Sequence, residues 1–358
     1  MNPNFWHNKN VLITGHSGFK GSWLALWLQS LRSRVSGYSL NPKSEPNIFE
    51  LANVYEGINS QVGDIRDMNS LASVIKQEKP EIIFHLAAQA LVRYSYENPV
   101  ETYSTNVMGL VNLLEIIRDC PSVKSVIIVT TDKCYENREW VWPYRENEAM
   151  GGFDPYSSSK ACAELVSAAY RNSYFNPAFY ESHRVGVATA RAGNVIGGGD
   201  WSEDRLVPDI IRAINSGCSV KIRNPNSVRP WQHVLESLNG YLTLAESLYI
   251  SGDQFSSAWN FGPNISDCLT SLDITKKLIS IAGSDTEIEI GSNENQPHEA
   301  GLLMLDTSKA RNVLGWKPIL SIEQSLQWIL NWNNAYKNQL NLKEVSLKQI
   351  FEYQNMIN

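Results

Sequence analysis

Apolar and polar positions alternate between two periods along the first half of the chain. Residues 11–14, Val-Leu-Ile-Thr, form a short continuous apolar run that stops at Gly15. Such a run, bounded by a turn residue, reads as a strand buried on both faces. Residues 23–31 then repeat their apolar positions with helical spacing, and 34–39 read as the next strand. Further strand-like runs lie at 82–86, 125–130 and 185–190, and a third strand precedes Gly63. Helical periodicity fills the gaps at 68–77, 100–118 and 157–172. Strand–helix alternation of this kind implies right-handed crossovers and a doubly wound parallel α/β sheet. Beyond about Gly193 the segments shorten and turns multiply, with Gly197-Gly198-Gly199, Asn224-Pro225 and Gly262-Pro263. We expect residues 1–193 to form this doubly wound domain. Residues 194–358 are expected to be mainly a smaller α/β substrate-binding region, with helices at 235–249 and 322–336. The boundary is soft, and the chain is expected to cross back over it.

The glycines sharpen this picture. Gly15, Gly18 and Gly21 give G-x-x-G-x-x-G directly after a strand and before a helix. The first allows the tight turn, the second lets backbone approach a pyrophosphate, and the third allows close helix–strand packing, so residues 1–193 are expected to be a dinucleotide-binding domain of Rossmann type. The acidic residue normally found about twenty positions on is absent; residues 38–42 are Tyr-Ser-Leu-Asn-Pro. Ser39 or Asn41 could bond a ribose hydroxyl, whereas Lys20 and Arg34 could meet a 2′-phosphate, so these residues leave NAD and NADP open. Asp64 either accepts from an adenine amino group or caps the following helix.

Composition narrows the classes. The 358 residues are 43% hydrophobic and 19% charged, as in an ordinary globular protein long enough for a sizeable core. A net charge of -6 argues against a generic nucleic-acid binder. The five Cys are scattered without a C-x-x-C pair, which fits a reducing compartment better than disulfides or a zinc site. No metal site is expected. The polar stretch before Val11 does not read as a signal peptide, and no apolar run reaches membrane-span length.

Two clusters carry candidate chemistry. Tyr156 and Lys160 lie four apart at the start of a predicted helix, hence on one face. A neighbouring ammonium would lower the phenol pKa and make Tyr156 a general base for a sugar hydroxyl. Thr131-Asp132-Lys133 follows the fifth strand at its carboxyl end, where sites on such sheets gather. Thr131 can hold a substrate hydroxyl, and of Asp132 and Lys133 one can deliver a proton while the other removes one. The plainer readings are a surface pair on an amphipathic helix and an exposed loop ion pair.

The ordered motifs resemble the extended short-chain dehydrogenase/reductase superfamily over residues 10–320. They are Thr14-Gly15-x-x-Gly18-x-x-Gly21, Gly63-Asp64, His85-Leu86-Ala87-Ala88, Asn106-Val107-x-Gly109, Thr130, Tyr156-x-x-x-Lys160, Arg191-x-x-Asn194-Val195-x-Gly197 and Asn260-Phe261-Gly262. Within it, Asp132-Lys133-Cys134-Tyr135, Asn137-Arg138-Glu139-Trp140 and Arg229-Pro230-Trp231-Gln232-His233-Val234 are similar to the CDP-glucose 4,6-dehydratase family. Related dTDP- and GDP-sugar enzymes carry Asp-Glu where this chain has Asp132-Lys133, which favours the CDP-sugar branch.

That resemblance implies an NAD-dependent hydro-lyase that turns CDP-glucose into a 4-keto-6-deoxy sugar. Tyr156 would take the 4-hydroxyl proton and Asp132 would protonate the departing 6-hydroxyl. Lys133 is the candidate for the C5 proton, and Lys160 would hold the nicotinamide ribose. Phe19, Ile65, Leu86, Ala87, Ala88, Asn106 and Thr130 would join the glycines around NAD. Gln89, Arg93, Asn194, Arg205 and Arg229 would meet the sugar nucleotide, with Asn194 and Arg229 on its diphosphate. His85, His233 and His298 read as structural, and the eleven Trp, Trp140 and Trp142 included, as mainly core. The likeness further implies a cytoplasmic homodimer or dimer of dimers, paired through 100–118 and 157–172, serving deoxysugars of surface lipopolysaccharide. The competing readings are a 4-epimerase, which needs no Asp-Lys pair, and a non-catalytic nucleotide sensor.

Overall fold

A computed structural model describes residues 1–291 and 300–357; His298 lies outside them. The central sheet has seven strands: β1 (Asn10–Thr14), β2 (Arg34–Ser39), β3 (Asn59–Val62), β4 (Ile82–His85), β5 (Ser125–Val129), β6 (Gly186–Ala192) and β7 (Ala258–Phe261). Their order is β7-β6-β5-β4-β1-β2-β3, and every pairing is parallel. The order reverses between β1 and β4, where Thr14 pairs with His85. A crevice opens at the carboxyl ends of the strands at that switch point.

The apolar runs exist because the sheet is covered on both sides. Val11 and Ile13 point into one core with Phe84, Ile127 and Val129, while Leu12 points into the other with Ile83, Val126 and Ile128. The second core is closed by α2 (Met68–Glu78), α3 (Gly109–Arg118) and α4 (Pro155–Ser173). The first is closed by α1 (Phe19–Ser30), α6 (Val234–Ile250) and α9 (Leu342–Ile357). β3 is an edge strand with an exposed, polar sequence, so the hydrophobic pattern alone marks it poorly.

Helix α1 is buried from Gly21 through Leu28 on every face. Trp27 packs edge-on against Tyr353 of α9 at 5.7 Å between ring centroids. Trp23 donates its indole N–H to the Gly198 carbonyl at 2.9 Å. The expected helix over 100–118 is broken: residues Ser104–Met108 form a wide π-type turn between Pro99–Tyr103 and α3. Such insertions are frequent at functional sites, and this one contains the buried Asn106.

Beyond 193 the chain divides its contribution. It supplies β7 and α6 to the main sheet. It also builds a smaller core from α5 (Leu206–Ser216), α7 (Ser271–Ala282) and α8 (Ile322–Lys337). Short strands accompany these helices, with Val228–Pro230 pairing antiparallel to Cys268–Thr270. α5, α7 and α9 carry no element in the sequence reading. Their apolar stripes become distinct only against this second core and against α1.

One buried ion pair ties α4 to the sheet. Arg191 of β6 meets Glu164 of α4 at 2.9 Å, with both side chains under 5% exposed. Glu164 also accepts from Thr130 at 2.5 Å and Thr189 at 2.7 Å. Arg191 donates to Tyr135 at 2.7 Å, and Tyr135 donates to Asn260 of β7 at 2.7 Å. The Arg191 charge and these donors hold the Glu164 carboxyl below its ordinary pKa despite burial. Arg191→Met leaves that carboxylate buried without its partner, so we expect a loss of about 3–5 kcal/mol, measured by urea unfolding. With the folded pKa depressed, this stabilisation is present above the unfolded carboxylate pKa and is lost as pH falls through the folded value.

Candidate active site

The switch-point crevice is formed by backbone contacts that exclude side chains. Gly15 has φ +79°, and a Cβ there would lie 2.7 Å from the Ala87 nitrogen. A Cβ on Gly21 would lie 2.1 Å from the Gly15 carbonyl oxygen. Both glycines are therefore fixed by the close approach of the β1 turn, the β4 exit and α1. Gly18 is the N-cap of α1 and provides no side-chain cap. That leaves the first-turn N–H groups and the positive end of the helix dipole facing the crevice, as a pyrophosphate requires.

Around that turn the expected cofactor residues fall into distinct environments. Leu86 packs against the first core, Ala87 is half-buried, and Ala88 follows in the same exit segment. Phe19 is partly buried and faces Gly197. Ile65 is buried and packs on Gly109 at the start of α3. Asn106 accepts from the Gln89 backbone N–H at 2.8 Å and donates to Ser159 at 2.8 Å, bridging the β4 exit to α4. It acts on the site by positioning that loop.

Several assignments change. Asp64 receives a fork from Arg66, with Nε 2.9 Å from Oδ1 and Nη2 2.5 Å from Oδ2. The helix cap is Asp67, which accepts from the Ser70 N–H at 3.0 Å, so Asp64 is not the cap. The Ser39 hydroxyl is buried and bonded to Ser17 at 2.8 Å and His16 at 3.0 Å, whereas Asn41 is exposed. His16 was missed by the sequence reading. Its ring fits only because Gly37 lacks a Cβ, which would meet the ring at 2.2 Å. Burial pushes the His16 imidazole down to about 4. Arg34 sits exposed at the amino end of β2, the wrong edge of the sheet for a 2′-phosphate. Gln89 turns inward onto Leu91 and Thr102 and shapes the loop.

Next to the turn lies a cleft with about 1210 Å³ of empty space, open to solvent. Thr130, Thr131, Asp132, Lys133 and Tyr156 line it, together with Lys20, Asn194, Arg205 and Arg229. The two sequence clusters thus converge, and neither is a surface pair. Thr131 caps a single helical turn over Asp132–Cys134 and donates its hydroxyl to Asp132 Oδ1 at 3.0 Å. Asp132 is 1% exposed, and its Oδ2 is buried with no hydrogen-bond partner among the described residues. Burial raises its pKa, against the pull of Lys133, Thr131, Arg229 and Lys20. A buried carboxyl whose pKa is raised is a better proton donor than an ordinary surface carboxylate.

Tyr156 differs from expectation. Burial pushes its phenol up to about 12, outweighing a hydrogen bond with Thr131 and the charge of Arg205. Lys160 does not offset that burial. Its ammonium donates to the Val129 carbonyl at 3.1 Å, and burial draws it down to about 8 against the pull of Glu164.

The far wall of the cleft is basic. Arg205 donates to Asp200 at 3.1 Å. Asp204 pairs with Arg223 at 2.6 Å and lies 3.5 Å from Arg93. Arg229 is 2% exposed and donates to the Val228 carbonyl at 2.9 Å. Lys221, Arg223, Trp231 and Ser271 also line the cleft and were missed; only the neighbourhood of Trp231 to Arg229 could have pointed to one of them. His85 holds Thr14 at 2.8 Å and His233 caps α6, both structural as expected. Trp142 is 66% exposed, so it is not core.

Residues 12–329 match the family model of GDP-mannose 4,6 dehydratase. The chain belongs to this family. It is 52% identical to the CDP-glucose 4,6-dehydratase of Salmonella typhimurium over 353 residues, 99% of this chain and 98% of that one. A UDP-glucose 4-epimerase of Lacticaseibacillus casei is 26% identical over 76% of this chain and 83% of its own. The fold of this family member superposes on a Bacillus anthracis dTDP-glucose 4,6-dehydratase solved with NAD. The TM-score is 0.77 at 23% identity, covering 94% of this chain and 99% of that one.

We expect Asp132→Asn to lower turnover about 10²–10⁴-fold with little change in substrate affinity. Steady-state kcat and KM would show this, and a change confined to KM would remove Asp132 from the proton-transfer step.

Proposed function

We propose that the chain is an NAD-dependent hydro-lyase that converts CDP-glucose to CDP-4-keto-6-deoxyglucose. The observation that carries this reading is the 52% identity across the whole chain, joined to the convergence of Asp132, Lys133 and Tyr156 in one cleft. NAD fits the residues present. Gly15, Gly18 and Gly21 give the backbone approach, the uncapped α1 faces the pyrophosphate, and Lys160 would hold the nicotinamide ribose. Bound NAD supplies a reversible hydride acceptor for the sugar.

The rest is done by side chains. Tyr156 takes the proton from the 4-hydroxyl, which Thr131 orients, once the positive charge of bound nicotinamide draws down the phenol that burial raises. Asp132 gives its proton to the 6-hydroxyl as water leaves, and an amine of the cleft removes the C5 proton. Asn194, Arg205 and Arg229 hold the sugar nucleotide, with guanidinium forks matched to phosphate oxygens. A 4-epimerase would have no use for an Asp132–Lys133 pair beside the 6-hydroxyl. The division proposed for the chain follows this chemistry: residues 1–193 mainly hold the cofactor, and residues 194–358 mainly hold the nucleotide.

We further propose a homodimer built on the helical stretch 100–118 and on α4. Leu110, Leu113 and Leu114 are buried in the chain's own second core and are unavailable to a partner. The outward positions are Val100, Met108 and Leu165, at 81%, 52% and 59% exposure. This apolar patch suits an isologous contact. The likeness also supports a cytoplasmic role in deoxysugar supply for lipopolysaccharide, and among the described residues no helix is long and apolar enough to cross a membrane.

Mass spectrometry of products from CDP-, dTDP-, GDP- and UDP-glucose tests the activity. Loss of one water from CDP-glucose alone is expected. Loss from another sugar nucleotide would discard the cytidine preference, and a C4 epimer without mass change would replace the dehydratase by an epimerase. For the dimer, light scattering is expected to give twice the chain mass, and Leu165→Asp to give the monomer.

A further inference from the structure

Asn137, Arg138, Glu139 and Trp140 do not line the cleft, and the reaction above uses none of them. They follow the turn that carries Asp132 and cross to the segment 300–306. The Asn137 amide donates to the Leu302 carbonyl at 3.1 Å, and its oxygen accepts from the Glu139 N–H and the Tyr144 hydroxyl, both at 3.0 Å. Trp140 packs on Tyr144 at 5.4 Å between ring centroids, in the small core of Cys134, Tyr135, Leu303 and Leu305. Glu139 accepts from the Gly301 N–H at 2.7 Å. It does so at φ +53°, a backbone region that costs a residue with a side chain. A Cβ on Gly301 would lie 2.6 Å from the Glu139 carboxylate, so a side chain at 301 would push that carboxylate away.

The far side of the same segment holds Arg229. Leu302 pairs with Val228, and Val228 donates its N–H to the Gly301 carbonyl at 2.8 Å. The Arg229 guanidinium donates to the Val228 carbonyl at 2.9 Å, to the Gly301 carbonyl at 3.5 Å and to the Ala300 carbonyl. The Ala300 carbonyl and the Gly301 N–H belong to one peptide group. Glu139 therefore grips the amide end of the unit whose oxygen receives the Arg229 fork.

Resting on the reading of Arg229 as a contact to the sugar-nucleotide diphosphate, we propose that Glu139 is a positioning residue that aims Arg229 at those phosphates through the peptide between Ala300 and Gly301. The peptide is planar, so fixing its N–H fixes the direction of its carbonyl. A carboxylate on the N–H and a guanidinium on the oxygen also polarise the unit in the same sense, and each bond strengthens the other. Arg229 is 2% exposed and lines the cleft, so the carbonyls behind it decide which way its remaining N–H groups face. Asn137 holds the next carbonyl along and keeps the segment in register.

Calorimetry with CDP, and with cytidine, which carries no phosphate, reads the aim of Arg229 directly. Glu139→Ala is expected to bind CDP about 10-fold more weakly and cytidine as the wild type does. Its KM for CDP-glucose should rise while kcat for water loss stays near the wild-type value. Glu139→Gln keeps an acceptor for the Gly301 N–H and should recover most of the CDP affinity. Beside Arg229→Gln, Glu139→Ala should cost CDP affinity nothing further. Wild-type CDP affinity in Glu139→Ala, equal weakening of CDP and cytidine, no recovery in Glu139→Gln, or an undiminished effect beside Arg229→Gln would each overturn the assignment. The first three comparisons hold whether or not Arg229→Gln folds. Arg229→Gln that binds CDP as the wild type does, or a wild type that releases no water from CDP-glucose, would instead sink the sugar-nucleotide reading of the cleft. That result is separate from a normal wild type with an unimpaired Glu139→Ala.

Discussion

The pairing of Arg191 with Glu164 fixes the frame in which the catalytic groups stand. It joins β6 to α4 in the dry layer beneath the cleft, where neither charge has water to fall back on. Glu164 lies one helical turn beyond Lys160 and also grips Thr130, the residue before Thr131 and Asp132. One carboxylate therefore sets the height of α4 against the end of β5. The spacing between Tyr156 on the helix and Asp132 on the strand exit is a product of that contact. Through Tyr135 and Asn260 the same network reaches β7, so the late-arriving strand is tied to the early ones.

What the chain reveals before folding depends on whether the signal is local. The parallel sheet was legible because strands covered on both faces must be apolar throughout, as Val11 to Ile13 and Val126 to Val129 are. Gly15 and Gly21 were legible because the turn leaves no room for another residue. Helix 100–118 looked continuous because a wide turn changes periodicity by only one residue, and its cause, the anchoring of Asn106 to Gln89 and Ser159, is a tertiary contact. The three unforeseen helices bury their stripes against partners far away in sequence.

At the site, residue types were legible and their directions were not. Asp132 and Tyr156 could be expected to converge, but the rise in the Tyr156 pKa comes from burial that no pair spacing encodes. Ser39 was read as a ribose contact because its position in the strand is right. His16 intervenes, and it can do so only because Gly37 is two residues before Ser39. Lys20 illustrates the same limit, since a turn motif fixes backbone and leaves a long side chain free to face either ligand.

Helix α1 has a consequence for biosynthesis. The element that offers its amino terminus to the cofactor is emitted early from the ribosome, yet its rear face is covered by α9, more than three hundred residues later. Until Tyr353 arrives, Trp27 has no aromatic partner on that side, and an apolar face of the helix stands open to water. A nascent chain that carries the whole glycine turn but lacks α9 therefore holds its cofactor helix with one apolar face uncovered.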